Sequence, residues 1–175
     1  MDVLVLTGSK HGSTEAIGQA IADRLRERGH QAVAQVPGDH PADVDRYDAF
    51  VVGSAIYIGH WVSGAREFLH EHRDLLASRP TWLFSSGPLD GSPTDAEPED
   101  VAAVAASIGA RGHEVFGGAL DKHELSLGER ATVRAVHAPY GDFRSWDQVH
   151  AWADQIATEL TAIEGPAIEG LPDPT

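Results

Sequence analysis

Residues 8–15 of the chain read GSKHGSTE, and this stretch carries the strongest structural signal in the sequence. It follows directly on the apolar run Val3–Leu6, which is typical of a buried β-strand, and it opens a helical pattern that continues to Arg28. Gly8 and Gly12 allow the backbone to turn tightly and to approach an anion. Short hydroxyl side chains and the free N–H groups of a helix N-terminus supply donors. The stretch therefore predicts a phosphate-binding loop between a first strand and a first helix.

The spacing of the glycines excludes two common phosphate loops. A Walker loop needs a lysine and then Ser or Thr directly after its second glycine, and a dinucleotide fingerprint needs the pattern GxGxxG. Here the two glycines are four residues apart, and a serine follows the second. The loop resembles instead the Thr/Ser-rich, TxTGxT-like loop of flavodoxins, with a histidine in place of the usual hydroxyl residue. The resemblance implies that the phosphate of FMN is bound by Ser9, Lys10, His11, Gly12, Ser13 and Thr14.

The net charge and the lack of cysteine exclude several classes of partner and of chemistry. A net charge of −14 argues against nucleic acid and anionic membranes as partners, because both attract Lys and Arg. The chain has no cysteine, which excludes disulfides, thiolate nucleophiles and Cys-ligated iron–sulfur clusters. Any redox chemistry would therefore need a bound organic cofactor.

The length of 175 residues and the 42% hydrophobic content fit one globular domain. We assign residues 1–163 to this domain and residues 164–175, rich in Pro, Gly and Glu, to a disordered tail. The first residues lack the pattern of a signal peptide, and no later run is apolar enough for a transmembrane segment. We therefore expect a cytoplasmic protein.

Strand and helix patterns alternate along the chain. Predicted strands cover residues 31–36, 48–53, 81–84 and 114–120, and helical periodicity separates them. A capping box at Ser145–Gln148 opens a long last helix. Such alternation predicts right-handed crossovers and helices on both faces of a parallel sheet. With the flavodoxin resemblance, we expect an α/β fold: a three-layer αβα sandwich with five parallel strands in the order 2-1-3-4-5.

A second loop follows the third predicted strand, where residues 53–61 read GSAIYIGHW. In a sheet of this order, ligands bind beyond the carboxyl ends of strands one and three. In flavodoxins the corresponding loop covers one side of the flavin ring, which implies stacking by Tyr57 and a peptide flip at Gly59. The implied cofactor contacts are Ser54, Ala55, Ile56, Tyr57, Ile58 and Gly59. Taken alone, Tyr57 and Trp61 could equally cap the edge of the core.

A third loop follows the fourth predicted strand and corresponds to the flavodoxin loop that meets the pyrimidine edge of the flavin. Its implied contacts are Ser85, Ser86, Gly87, Pro88 and Leu89. Gly87 allows a close approach, but Pro88 has no N–H, so one of the usual backbone donors is missing. The same residues also fit an ordinary transition from strand to loop that needs no ligand.

Neither a metal site nor a nucleophilic hydrolase site is indicated. The triplet His70-Glu71-His72 lies on a predicted helix, but ligands on one helical face need a spacing of three or four residues. A solvated helix face explains the triplet. No GxSxG motif surrounds Ser54, so no side chain is assigned a catalytic role.

A closer resemblance extends beyond the three loops. The loop SAIYIGHW, the helix that ends near LHEHRDLL and the closing segment SWDQVHAWADQIA are similar to the menaquinone-dependent protoporphyrinogen oxidases of bacteria and their flavodoxin-domain relatives. In length and order the resemblance covers residues 1–160. It includes an added segment, residues 121–144, between the fifth strand and the last helix. It implies FMN-mediated dehydrogenation of a tetrapyrrole, with electrons passed to a quinone or to a redox partner protein.

On this resemblance the added segment would line a substrate pocket. Arg130, Arg134 and Arg144 would pair with propionate carboxylates, and Trp61 would contact the substrate. Decoration of the sheet edge explains the segment equally well. Its acidic residues do not suit a membrane-bound acceptor; they include Asp121, Glu124, Glu129 and Asp142. A flavodoxin-type electron carrier with no substrate of its own is therefore the alternative function.

Overall fold

The computed structural model describes residues 1–37, 43–57, 59–87, 99–121, 123, 128, 130, 134 and 140–165. Its main sheet consists of β1 (Asp2–Gly8), β2 (Gln31–Gln35), β3 (Ala49–Tyr57), β4 (His60–Trp61), β5 (Thr81–Ser86) and β6 (Gly112–Phe116). Five of these strands are parallel, in the order β2-β1-β3-β5-β6, and the short β4 pairs antiparallel with β3. With β4 set aside, this order is the predicted 2-1-3-4-5, so the predicted fold is confirmed.

Helices cover both faces of the sheet. In the described part of the chain they are α1 (Ser13–Glu27), α2 (Ser63–Glu71), α3 (Arg73–Ser78), α4 (Glu99–Ile108) and α5 (Trp146–Glu164). The side chains of β1 alternate between two cores: Val3 and Val5 pack with α1 and α5, whereas Leu4 and Leu6 pack with α2, α3 and α4. This alternation produces the three layers. Within the described ranges, no helix combines the length and the apolar character needed to cross a membrane.

The strand predicted over residues 114–120 is divided in the structure. β6 ends at Phe116, and a separate antiparallel ribbon is formed by β7 (Ala119–Leu120) and β8 (Gly141–Asp142). A Cβ at Gly117 would clash with the backbone carbonyl of Phe143. Glycine at this position therefore allows the chain that leaves β6 to pass close to the chain that leaves the ribbon.

The helix predicted between strands three and four is also divided. It breaks at His72, whose φ of −105° and ψ of 19° are not helical, and the break separates α2 from α3. The His72 ring packs on Phe68, with 4.7 Å between the ring centres. His70 is exposed, as expected for a solvated helix face.

The two helices of one layer are connected by hydrogen bonds. The Arg24 guanidinium, near the C-terminus of α1, donates two bonds of 2.8 Å to the Asp154 carboxylate of α5. α5 begins as predicted, because Ser145 Oγ accepts a hydrogen bond from the Gln148 N–H.

A buried hydrogen-bond network holds β4 against the sheet. The Trp61 indole N–H donates to Ser85 Oγ at 2.8 Å, and this oxygen lies 2.9 Å from His113 Nε2. The Trp61 side chain is 1% exposed and Ser85 is fully buried. Since buried polar groups need hydrogen-bond partners, the network determines where this tryptophan lies.

Removing the hydroxyl at the centre of the network is expected to destabilise the fold. In Ser85→Ala the Trp61 indole N–H stays buried but loses its acceptor, which lowers the unfolding free energy by about 1–3 kcal/mol. Urea denaturation measures the loss. Ser78→Ala is the control, since Ser78 is exposed and its hydroxyl only caps the end of α3. Equal, small losses in the two variants would show that the network does not stabilise the protein.

Candidate functional site

The predicted phosphate loop lies between β1 and α1. Gly12 precedes the helix with a φ of 76°, a left-handed conformation that favours glycine. The N-cap residue is a glycine, which has no side chain to accept from the first-turn N–H groups of α1, and these groups have no intrahelical partner. A Cβ at Gly12 would meet no atom within 4 Å, which leaves open space at the start of the helix. These donors and this space fit an anion such as a phosphate group.

The hydroxyl side chains of the loop differ in their surroundings. Ser9 is half-buried and Thr14 is buried. Ser13 Oγ accepts a hydrogen bond of 2.9 Å from the Ala119 N–H, which leaves the hydroxyl proton available for another acceptor. Ser13 is therefore both a predicted phosphate contact and a point where the β7–β8 ribbon is attached.

Lys10 connects the phosphate loop to the second predicted loop. Its Nζ lies 3.8 Å from the centre of the Tyr57 ring, which is a cation–π contact. The two loops meet because β1 and β3 are neighbours, with Gly8 level with Ser54. The aromatic side chain expected to stack on a flavin ring thus lies beside the phosphate loop.

In the second loop, Gly59 has a φ of 77°, a left-handed conformation that favours glycine. Ser54 is fully buried; its Oγ accepts from the Val62 N–H and donates to the Ala55 carbonyl, both at 3.0 Å. The Ser54 side chain therefore holds the start of α2. Ala55, Ile56 and Tyr57 are half-buried, whereas Ile58 lies outside the described residues.

The predicted substrate contact of Trp61 is not supported by its surroundings. The ring is buried and its N–H is bound to Ser85, so it is not presented to a ligand in this conformation. Packing at the edge of the core is the alternative that the sequence leaves open for Trp61, and its burial fits that alternative. The contact of Trp61 with a substrate stays a prediction.

The third loop presents fewer hydrogen-bonding groups to a ligand than the sequence implied. Ser85 and Ser86 are buried, and the Ser85 side chain belongs to the Trp61 network. Gly87 has a φ of 116°, and its N–H donates to the Phe116 carbonyl at 2.9 Å. Pro88 and Leu89 lie outside the described residues.

A cavity of about 780 Å³ lies between the phosphate loop and the β7–β8 ribbon. It is lined by His11, Gly12, Ser13, Ala119, Leu120, Asp121, His123, Tyr140, Gly141, Asp142 and Arg144. Sequence reasoning assigned the added segment to a substrate pocket or to decoration, and missed that its ends form a wall beside the phosphate loop. The topology carried the signal, because β6 ends at the same edge of the sheet as β1.

The three arginines predicted to bind a substrate lie in different surroundings. Arg144 lines the cavity and donates two hydrogen bonds, of 2.9 and 2.6 Å, to the Asp142 carboxylate. These bonds hold the pKa of the Asp142 carboxyl below its usual range, so this group is ionised at neutral pH. Arg130 is half-buried and Arg134 is exposed, and neither is among the described residues that line the cavity.

Comparison with known proteins agrees with this geometry. Residues 4–145 match the family model described as a flavodoxin domain. The chain is also similar to protoporphyrinogen IX dehydrogenase (quinone) from Escherichia coli strain K12, with 32% identity over 100 residues. The matched part covers 57% of this chain and spans about half, 55%, of that protein.

Solved structures share the fold at low sequence identity. A cysteine-to-serine variant of the flavodoxin from Pseudomonas aeruginosa gives a TM-score of 0.60 at 16% identity, covering 91% of this chain and 99% of that one. The rubredoxin oxygen:oxidoreductase from Desulfovibrio gigas gives a TM-score of 0.63 at 16% identity, covering 94% of this chain and 37% of that one. Because the family model matches most of the chain and the fold agrees, the chain belongs to the flavodoxin domain family.

Proposed function

We propose that this protein binds FMN and acts as an FMN-dependent oxidoreductase similar to the quinone-linked protoporphyrinogen dehydrogenases. Membership of the flavodoxin domain family implies a flavin cofactor. The observation that carries the choice of FMN is the uncapped start of α1 behind Gly12, which offers N–H donors and open space for a phosphate dianion. A flavin without a phosphate would leave these donors unused.

The residues present fit the two ends of this cofactor. The first-turn N–H groups of α1 and the Ser9, Ser13 and Thr14 hydroxyls would hold the phosphate. Tyr57 would flank the ring, and Gly59 can change its peptide orientation without strain. When bound, FMN supplies two-electron redox chemistry, which no side chain of this cysteine-free chain provides.

The tetrapyrrole substrate and the quinone acceptor are proposed from the similarity to the Escherichia coli dehydrogenase. The name of that protein gives both the substrate and the acceptor, and the match covers 57% of this chain. The proposed reaction removes two electrons and two protons from the substrate in each step and passes them to the quinone. No side chain is given a catalytic role; the protein would bind, orient and shield the cofactor.

The alternative function is electron transfer without a substrate. The net charge of −14 favours it, because an acidic surface attracts basic redox partners and speeds their association. Both functions need FMN in the same place, so they differ only in what exchanges electrons with it.

The phosphate site is tested by introducing a negative charge. Ser9→Asp is expected to weaken FMN binding by about a hundredfold or more, since a carboxylate would repel the phosphate at close range. The dissociation constant is measured by titrating the apoprotein with FMN and monitoring the quenching of flavin fluorescence. Ser9→Asn is the matched control because it has nearly the same shape without the charge. Equal affinities in these two variants would contradict the placement of the phosphate.

The flanking position of Tyr57 makes a separate prediction. Tyr57→Ala removes the ring and is expected to weaken FMN binding by roughly threefold to tenfold and to shift the flavin reduction potentials. Tyr57→Phe keeps an aromatic face and should behave more like the parent protein. Potentiometric titration of the bound flavin checks both variants. Unchanged affinity and potentials in Tyr57→Ala would exclude this residue from the ring site.

Turnover of protoporphyrinogen IX distinguishes the enzyme from the carrier. Under exclusion of oxygen, with a menaquinone analogue as acceptor, the enzyme is expected to form fluorescent protoporphyrin well above the rate without protein. The carrier would give no such increase but would accept electrons rapidly from a flavodoxin reductase. A protein that takes up no FMN at all would contradict both functions.

A further inference from the structure

The start of α1 is attached to the β7–β8 ribbon. The Ala119 N–H, at the first residue of β7, donates to Ser13 Oγ at 2.9 Å. Ala119 is also level with Asp142 in the ribbon, and the Phe143 N–H donates to the Gly118 carbonyl at 3.0 Å. The two strands of the ribbon are therefore joined to each other, and the ribbon contacts Ser13, the first residue of α1.

A second contact reaches the same residue from the end of the ribbon. The Arg144 guanidinium lies with Nη1 3.5 Å from the Ser13 carbonyl oxygen. Ser13 is thus approached at its hydroxyl by β7 and at its carbonyl by Arg144. Since this residue starts α1, its position decides where the first-turn N–H groups point.

The orientation of Arg144 is determined by Asp142. Nε and Nη2 of the arginine donate to the two carboxylate oxygens at 2.9 and 2.6 Å, and the Arg144 backbone N–H donates to the same carboxylate at 3.1 Å. The guanidinium also lies over the Trp146 ring, 4.8 Å from its centre. The Arg144 side chain is 17% exposed, and these contacts hold it in one geometry. A lysine has no planar guanidinium and could not make the same two-pronged contact with the Asp142 carboxylate.

An arginine at an anion site can supply positive charge, or it can fix the direction of neighbouring groups. The pairing of Arg144 with Asp142 distinguishes these two roles. The positive charge of Arg144 is balanced by the adjacent Asp142 carboxylate, so the pair adds little net charge near the phosphate loop. What the pair supplies is a fixed direction. A phosphate is recognised by N–H groups whose hydrogen bonds weaken steeply when they are misdirected.

We propose that Arg144, oriented by Asp142, is a positioning residue that holds the first turn of α1 in the conformation that recognises a phosphate, and so determines the preference for FMN over riboflavin. This inference rests on the proposed FMN function. It differs from a direct phosphate or propionate contact by Arg144, because the residue acts through Ser13.

The ratio of the dissociation constants for riboflavin and FMN is the appropriate measurement. Both ligands have the same ring and ribityl chain, so general damage to the fold affects both, whereas a misdirected first turn affects FMN alone. We expect Arg144→Gln and Arg144→Lys to lower this ratio alike, by about tenfold, which is typical of losing a hydrogen bond to a charged group. Full FMN affinity in Arg144→Lys would mean that charge, not geometry, matters, and would overturn the inference.

Asp142→Asn gives the sharpest result because two explanations predict opposite signs. Removing a negative charge beside the loop would tighten FMN binding if electrostatics alone decided affinity. The positioning role predicts weaker FMN binding, since Arg144 loses the partner that orients it. Tighter binding of FMN in this variant would therefore overturn the inference, and this test is available even if the Arg144 variants fail to fold.

A matched control exists at the other end of α1. Arg24 makes the same two-pronged contact with a carboxylate, that of Asp154, and also connects α1 to a neighbouring element. Arg24→Lys should leave the riboflavin-to-FMN ratio unchanged. A parent protein that binds both ligands equally would contradict the proposed phosphate site itself, whereas a parent that prefers FMN and variants that keep this preference would contradict only the role of Arg144.

Discussion

The end of β1 passes so close to the start of α2 that Gly8 has no room for a side chain. A Cβ there would lie 2.5 Å from Val62 and 2.9 Å from Ala65. Ser54 also holds the start of α2 close to the sheet, because its buried hydroxyl accepts a hydrogen bond from the Val62 N–H. Because Gly8 and Ser54 are level in neighbouring parallel strands, the loops that follow both strands leave the sheet together. The geometry of the candidate cofactor site depends on this contact.

The phosphate loop is held from two sides. On one side, α2 and the second loop are packed against the end of β1, and Lys10 contacts the Tyr57 ring. On the other side, the β7–β8 ribbon binds Ser13 through Ala119 and approaches it with Arg144. Hydrogen bonds from N–H groups to an anion weaken steeply when they are misdirected, so contacts that hold the loop would affect how well it binds an anion. The ends of the added segment therefore contact the loop that we propose to bind FMN.

Local signals in the sequence predicted much of this arrangement. The strand, glycine loop and helix at residues 3–28 are a short-range pattern, as is the cap at Ser145, and the structure has both. The strand order followed from the alternation of strands and helices together with the family resemblance. Two boundaries were missed: β6 ends directly before Gly117, which lies close to the distant residue Phe143, and His72 interrupts the helix between strands three and four. The contact of Gly117 with Phe143 joins residues far apart in the chain, so no local pattern predicts it.

The sequence by itself determined the fold class and the absence of cysteine chemistry, and it predicted the phosphate loop, because each depends on residues close together in the chain or on composition. Only the tertiary structure decided that Trp61 is buried on Ser85, that the ribbon meets Ser13, and that Arg144 pairs with Asp142 beside the loop. Ser13 and Arg144 are far apart in sequence. Their contact exists because α1 and α5 pack on the same face of the sheet, and no periodicity or spacing records such a contact.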